Sequence, residues 1–189
     1  MPSFEIVKQY LLLGFTHVIP LGFDHILFIL SIFFLNSNVK SVIVQCSVFT
    51  IAHSFSLALT AAGYIIPPSQ IIEPLIALSI LFTSIENIVH DKINTYRLVI
   101  IFLFGLIHGM GFASALKEIG LPPTHFWASL ISFNIGVEFG QITIILLAYF
   151  LISKWFSKKF WYKQRIVYPL SSIIGCIALY WTIERISLG

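Results

Sequence analysis

Charge is scarce in this 189-residue sequence: Asp, Glu, Lys and Arg together make up 10% of it, against about 25% in an ordinary soluble domain. A chain so poor in charge cannot cover a water-facing surface, which excludes a soluble globular enzyme, a disordered chain and a nucleic-acid binder. Cysteine is also scarce. Cys46 and Cys176 are the only two; they stand far apart in apolar stretches, with no CxxC, and read as buried thiols rather than a disulfide or a metal pair. There is no GxxxxGK[ST] loop for a nucleotide and no HExxH for a zincin. Met1 to Tyr10 carries Glu5 and Lys8 without a basic region ahead of an apolar core, so no cleavable signal peptide is expected. What the chain has instead is apolar mass. The hydrophobic fraction is 58% and Phe occurs 18 times, with a mean hydropathy of +0.94.

A bilayer-crossing helix needs about 20 mostly apolar residues, and six stretches approach that length. They run over about residues 11–35, 41–62, 71–89, 96–116, 126–152 and 166–186. The expectation is an all-α, polytopic transmembrane bundle forming a single integral membrane domain over 1–189, with the lipid bilayer as its solvent. Connectors are short and carry the expected breakers, among them Asn36 to Asn38, Pro67-Pro68, Asp91 to Thr95, and Gly120 with Pro122-Pro123. The first stretch is interrupted by Pro20 and Gly22. A half-helix or re-entrant piece over Leu11 to Val18 and a plain proline kink remain open alternatives.

Orientation follows from the loop cations. Lys40, Lys92, Arg97, Lys154, Lys158, Lys159, Lys163 and Arg165 fall on one side of the six-span scheme, against Lys8, Lys117 and Arg185 on the other. The first side is then cytoplasmic and both termini are non-cytoplasmic, in what is expected to be a bacterial inner membrane. Trp127, Trp155, Trp161 and Trp181 lie near span ends, as interfacial anchors do.

Against this background the polar residues inside the spans stand out. Each ionisable group at mid-membrane costs at least about 2.5–3.5 kcal/mol on insertion scales, and such groups face the bundle interior and mark function. The first span carries His17, Asp24 and His25. The second carries His53, Ser54 and Ser56; the third, Glu73, Glu86 and Asn87; the fourth, His108. The fifth carries Asn134, Glu138 and Gln141 at i, i+4, i+7, one helical face. His90 and His125 read as loop residues. Two GxxxG patterns, Gly105 to Gly109 and Gly136 to Gly140, each enclose an ionisable residue. Their pairing is expected to draw the fourth and fifth spans together, bringing His108 and Glu138 to one interior space, or to support a homo-oligomer. Imidazoles with carboxylate and amide oxygens suit nickel, zinc, copper and iron. The alternative is a purely structural hydrogen-bonded network.

Five segments carry a resemblance: His17-x6-Asp24-His25, Thr50-Ile51-Ala52-His53-Ser54, Glu73 to Ile80, Gly105 to Ala113, and Phe133 to Gln141. In this order they resemble the HupE/UreJ membrane proteins, over residues 10 to 150. Members of that family are small six-span proteins regarded as nickel or cobalt permeases. The resemblance implies metal-ion transport, with His17, Asp24 and His25 as first-span contacts and His53, His108 and Glu138 as the matching polar positions. Hydrogenase-linked relatives have His-x5-Asp-His, one residue shorter than here, which leaves the ion open.

Two functions follow. In the first, a divalent transition-metal ion, nickel or cobalt, enters past His17 and Glu73. It sheds water onto Asp24, His25, His53, His108 and Glu138, and leaves past Glu86 and Asn87. Ser54, Asn134 and Gln141 support that path. In the second, a fixed zinc held by three His activates water against a lipid or membrane-embedded peptide, with Asp24 or Glu138 as base.

Overall fold

The computed structural model describes residues 3–90, 95–119 and 123–188, and among these it is helical with no strand. The helices are α1 (Ser3–Val18), α2 (Phe23–Leu35), α3 (Val39–Ala61), α4 (Ser69–Val89), α5 (Arg97–Ile119) and α6 (Phe126–Ala148). A π-helical turn, Tyr149–Ser153, carries α6 into the single turn α7 (Lys154–Phe156). A second such turn, Lys163–Val167, leads into α8 (Tyr168–Leu188).

Four helices are long and apolar enough to cross a membrane: α3, α4, Phe126–Phe156 and Lys163–Ser187. Among the described residues, the pair α1 and α2 is long and apolar enough only when the two are taken together across their break, and α5 is apolar over Arg97–Phe112. The all-helical membrane bundle expected from composition is therefore the fold. Its outer surface is apolar, with Ile51, Phe82, Phe139 and Leu151 among the many exposed large side chains, as a lipid-facing surface requires.

Several boundaries differ from the sequence reading. The first helix begins at Ser3, not Leu11, because Glu5 and Lys8 lie among its exposed positions while Ile6 and Tyr10 are buried. The first span is not a kinked helix either. α1 and α2 meet at 67°, and Ile19 to Gly22 are out of helix, with a cis Ile19–Pro20 peptide. Arg97, counted as a loop cation, is the first residue of α5 and is 1% exposed, because Glu86 and Gln45 bind it. Lys92 lies outside the described residues, as do Gly120 and Pro122 and the side chain of Lys117.

The helices pack chiefly in three pairs, α1 with α6, α3 with α5, and α4 with α8. The short α2 runs between them and touches α1, α3, α4, α6 and α8. Its sequence, FDHILFILSIFFL, is apolar on every side after the first turn, and Phe28, Ile29, Ile32, Phe33 and Phe34 are all buried. A helix hydrophobic all round belongs in the middle of a bundle.

Glycine sets two of the three pairings, and here the expectation is corrected. The two GxxxG faces do not meet each other. A Cβ on Gly109 would stand 2.2 Å from the His53 carbonyl oxygen, so this face of α5 lies on α3. A Cβ on Gly136 would stand 2.1 Å from the Leu11 carbonyl oxygen, so that face of α6 lies on α1. Small residues admit close backbone approach, but each pattern has its own partner within the chain. The third pair, with α2, is tied by hydrogen bonds. Ser31 Oγ and Thr83 Oγ1 are 2.6 Å apart, and Asn87 Nδ2 donates to the Ser31 carbonyl at 2.9 Å and to Ser171 Oγ at 3.0 Å.

Candidate metal centre

The break between α1 and α2 places two histidines face to face. His17 ends the first helix and His25 begins the second, and their rings stand 4.7 Å apart, edge to face. His53 arrives from α3, with its ring 6.3 Å from His17 and 5.9 Å from His25. One ring nitrogen from each of the three lies within 4.8 Å of the others. His108 comes from α5, 5.5 Å from the His25 ring. The glycine contact that seats α5 on α3 is next to His108 in sequence and touches the His53 carbonyl, so the packing that joins the helices also sets the two imidazoles.

Hydrogen bonding orients the rings. His25 Nδ1 lies 3.0 Å from Asp24 Oδ1, and the same oxygen accepts from the His25 backbone N–H at 2.8 Å. An ionised carboxylate only accepts, so the neutral imidazole in this geometry carries its proton on Nδ1 and leaves Nε2 as the ligating nitrogen. His108 Nδ1 lies 2.9 Å from the Phe104 carbonyl oxygen, which fixes the same tautomer. This is the arrangement in which ligating histidines are held, with one nitrogen anchored and the other presented. The presented nitrogens have no protein partner. Among the described residues, His17 Nε2, His25 Nε2 and His108 Nε2 are buried and make no hydrogen bond, and the polar side chain that reaches the buried ring of His53 is Asn134. Several unsatisfied ring nitrogens in one place run against the general rule that buried polar groups are paired.

Around the imidazoles is a sheath of phenylalanine that sequence reading did not single out. Phe112 lies 3.8 Å from the His17 ring, and Phe133 stacks on Phe112 at 10°. Phe49 and Phe28 stand 4.9 and 5.2 Å from His108. Among 18 Phe in the sequence, nothing local distinguishes these from the lipid-facing ones. Of these four, only Phe28, Phe49 and Phe112, each a turn away from His25, His53 or His108, carry a positional signal, and Phe133 carries none.

The remaining polar residues divide between other places. Glu138 accepts from Ser47 Oγ at 2.7 Å, and Thr50 Oγ1 donates to Gln141 Oε1 at 3.0 Å, so both pairs bridge α3 and α6. Glu138, Asn134, Ser54, Ser47 and Thr50 line a groove of about 620 Å³ whose rim is apolar, with Ile51, Phe55 and Trp127. Asn134 Nδ2 donates to the Leu130 carbonyl at 2.8 Å, and its side chain also reaches His53 at the edge of the cluster. Ser54 Oγ bonds the Thr50 carbonyl at 2.6 Å. Glu86 is bound to Arg97, and Asn87 to Ser31 and Ser171. Glu73 is exposed at the start of α4, where its carbonyl accepts from Arg185 Nη1 at 3.0 Å. Thus His17, Asp24, His25, His53 and His108 come together, whereas Glu138, Glu73 and Glu86 stand elsewhere.

The family model of the HupE / UreJ protein matches residues 3–185. No curated protein and no solved structure is significantly similar to the chain. A match over nearly the whole length, on a helical bundle with a histidine cluster inside it, identifies the chain as a member of the HupE/UreJ family of integral membrane proteins.

Proposed function

We propose that this protein carries a divalent transition-metal ion across the membrane, with nickel or cobalt as the cargo, and that His17, His25, His53 and His108 form its binding station. The observation that carries the reading is the set of buried ring nitrogens, on His17, His25 and His108, that have no partner among the described residues and face His53. Imidazole nitrogen suits nickel and its neighbours, and the family resemblance points to the same cargo. The distances support it. A tetrahedral ion with nitrogen ligands at about 2.0–2.1 Å holds them about 3.4 Å apart. Nitrogens already within 4.8 Å close onto an ion by small ring rotations.

Neutral imidazoles also suit release. A set of neutral nitrogens with one carboxylate behind them holds a divalent ion less firmly than thiolates do, and a transported ion must leave. An inside-negative potential of 100 mV drives inward movement by about 2.3 kcal/mol per charge, and so about twice that for a divalent ion. The hydrolase alternative has less support. It needs a carboxylate on the metal-bound water, and Asp24 is committed to His25 and Glu138 to Ser47.

The test is metal flux into proteoliposomes holding the purified protein, with nickel, cobalt, zinc and copper offered in turn. Uptake lost in His53→Ala supports the proposal and names the ion. Stoichiometric binding without flux in either protein overturns transport and favours a fixed zinc site.

A further inference from the structure

At the end of the bundle where α3 and α5 begin, a cavity of about 370 Å³ opens that the metal path does not use. Its polar wall is Asn38, Lys40, Ser41, Gln45 and Arg97, and its other wall is Val44 and Leu98. Arg97 is 1% exposed, yet only two of its three guanidinium nitrogens have partners. Nε donates to Gln45 Oε1 at 2.6 Å and Nη1 to Glu86, while Nη2 is buried with no partner among the described residues. Guanidinium nitrogens are donors only, so the missing partner is an acceptor.

The surroundings specify which kind. Asn38 caps α3, accepting from the Ser41 N–H at 3.3 Å. The other N–H groups of that first turn lack intrahelical partners and carry the positive end of the helix dipole. Lys40 is exposed beside them. With Glu86 balancing one cation, Lys40 and the helix terminus leave the cavity net positive. An oxyanion fits this combination. Val44 and Leu98 are 47% and 43% exposed, so an apolar surface suited to acyl chains flanks the mouth. We infer that this cavity binds the phosphate of an anionic phospholipid headgroup, clamping the starts of α3 and α5 at the membrane interface. Basic pockets between membrane helices hold lipid phosphates in this way.

The experiment is native mass spectrometry of the full-length protein with phosphatidylglycerol and phosphatidylcholine of identical chains. Wild type is expected to retain phosphatidylglycerol in preference. Lys40→Gln, at an exposed position that leaves folding intact, lowers that retention about fivefold, equivalent to about 1 kcal/mol for one interfacial lysine. Lys158→Gln, an exposed cation elsewhere, leaves it unchanged. Arg97→Lys keeps a charge for Glu86 but loses the planar fork, and lowers retention too. Equal retention of the two lipids by wild type, or equal loss in Lys40→Gln and Lys158→Gln, overturns the site. Displacement of phosphatidylglycerol by millimolar inorganic phosphate overturns the lipid as its occupant.

Discussion

Asp24 offers the sharpest test of the metal centre, because it touches the imidazole it orients and no other histidine by hydrogen bond. Its Oδ1 stands 3.0 Å from His25 Nδ1 and also accepts the His25 backbone N–H. Removing the carboxylate has two separable effects. Asp24→Asn keeps an oxygen that can accept from Nδ1–H, so the tautomer survives while the negative charge that raises the basicity of Nε2 is lost. Asp24→Ala removes both, and His25 is then free to carry its proton on Nε2, the nitrogen that faces the cluster. Partners behind ligating histidines contribute about 10–100-fold to metal affinity, or about 1.4 to 2.7 kcal/mol. The expectation is about tenfold weaker nickel binding in Asp24→Asn and a further loss toward 100-fold in Asp24→Ala. Isothermal titration of the detergent-purified protein reads this directly, with thermal unfolding of the metal-free variants as the control for folding. Unchanged affinity in both variants would refute the assignment of His25 as a ligand oriented by Asp24. Equal loss in the two would show that charge alone matters and the tautomer argument is wrong.

Glu138→Gln is expected to leave equilibrium metal affinity within about twofold, since its carboxylate bonds Ser47 on the groove side of α6 rather than the histidine cluster; a loss of about tenfold in the same titration would place it among the ligands. Gly109→Ala puts a methyl 2.2 Å from both the His53 carbonyl and Ser56 Oγ, so α5 must separate from α3 at a cost of about 1–3 kcal/mol; thermal unfolding in detergent should show the lower midpoint and titration a weaker site. Arg97→Ala leaves Glu86 as an unpaired buried charge and is expected to destabilise by about 3–5 kcal/mol, whereas replacing both residues by apolar ones recovers most of it; a double variant no better than the single one counts against the ion pair. Asn87→Ala removes two interhelical hydrogen bonds and should cost about 0.6 to 1.7 kcal/mol for each, measured by the same unfolding assay.

The bundle itself was legible in the sequence, because apolar run length is a direct consequence of bilayer thickness and survives any detail of packing. His17, His25, His53 and His108 were legible for a related reason, since a polar group in an apolar helix is conspicuous. What sequence could not supply was partnership. Glu86 and Asn87 looked like steps on an exit path, and Arg97 like a loop cation. Their meaning depends on which helices touch, and that is decided by shape. The two GxxxG patterns illustrate the limit. They announce close contact but say nothing of the partner, and any helix with a flat enough face serves. Here Leu11 to Val18 and Phe49 to Ser56 supply those faces. The break at Ile19 to Gly22 was signalled by Pro20, but its 67° bend follows from α1 lying along α6 while α2 turns into the bundle.

That division of contacts explains how the imidazoles are gathered without hydrogen bonds to one another. His17 is carried by α1, which glycine fixes to α6. His53 and His108 are carried by α3 and α5, which glycine fixes to each other. His25 rides on α2, which is wedged among its neighbours by Phe28, Ile32 and Phe33. Each ring is positioned by packing outside the cluster, so helix packing resists its collapse into imidazole–imidazole hydrogen bonds that would satisfy the free nitrogens. The phenylalanine sheath adds apolar contacts to the rings, with Phe112 against His17 and Phe49 against His108. Unsatisfied nitrogens are thus a consequence of apolar packing placed around them. On the proposed function, ring nitrogens that packing keeps from one another are what an incoming cation meets in place of the water it sheds.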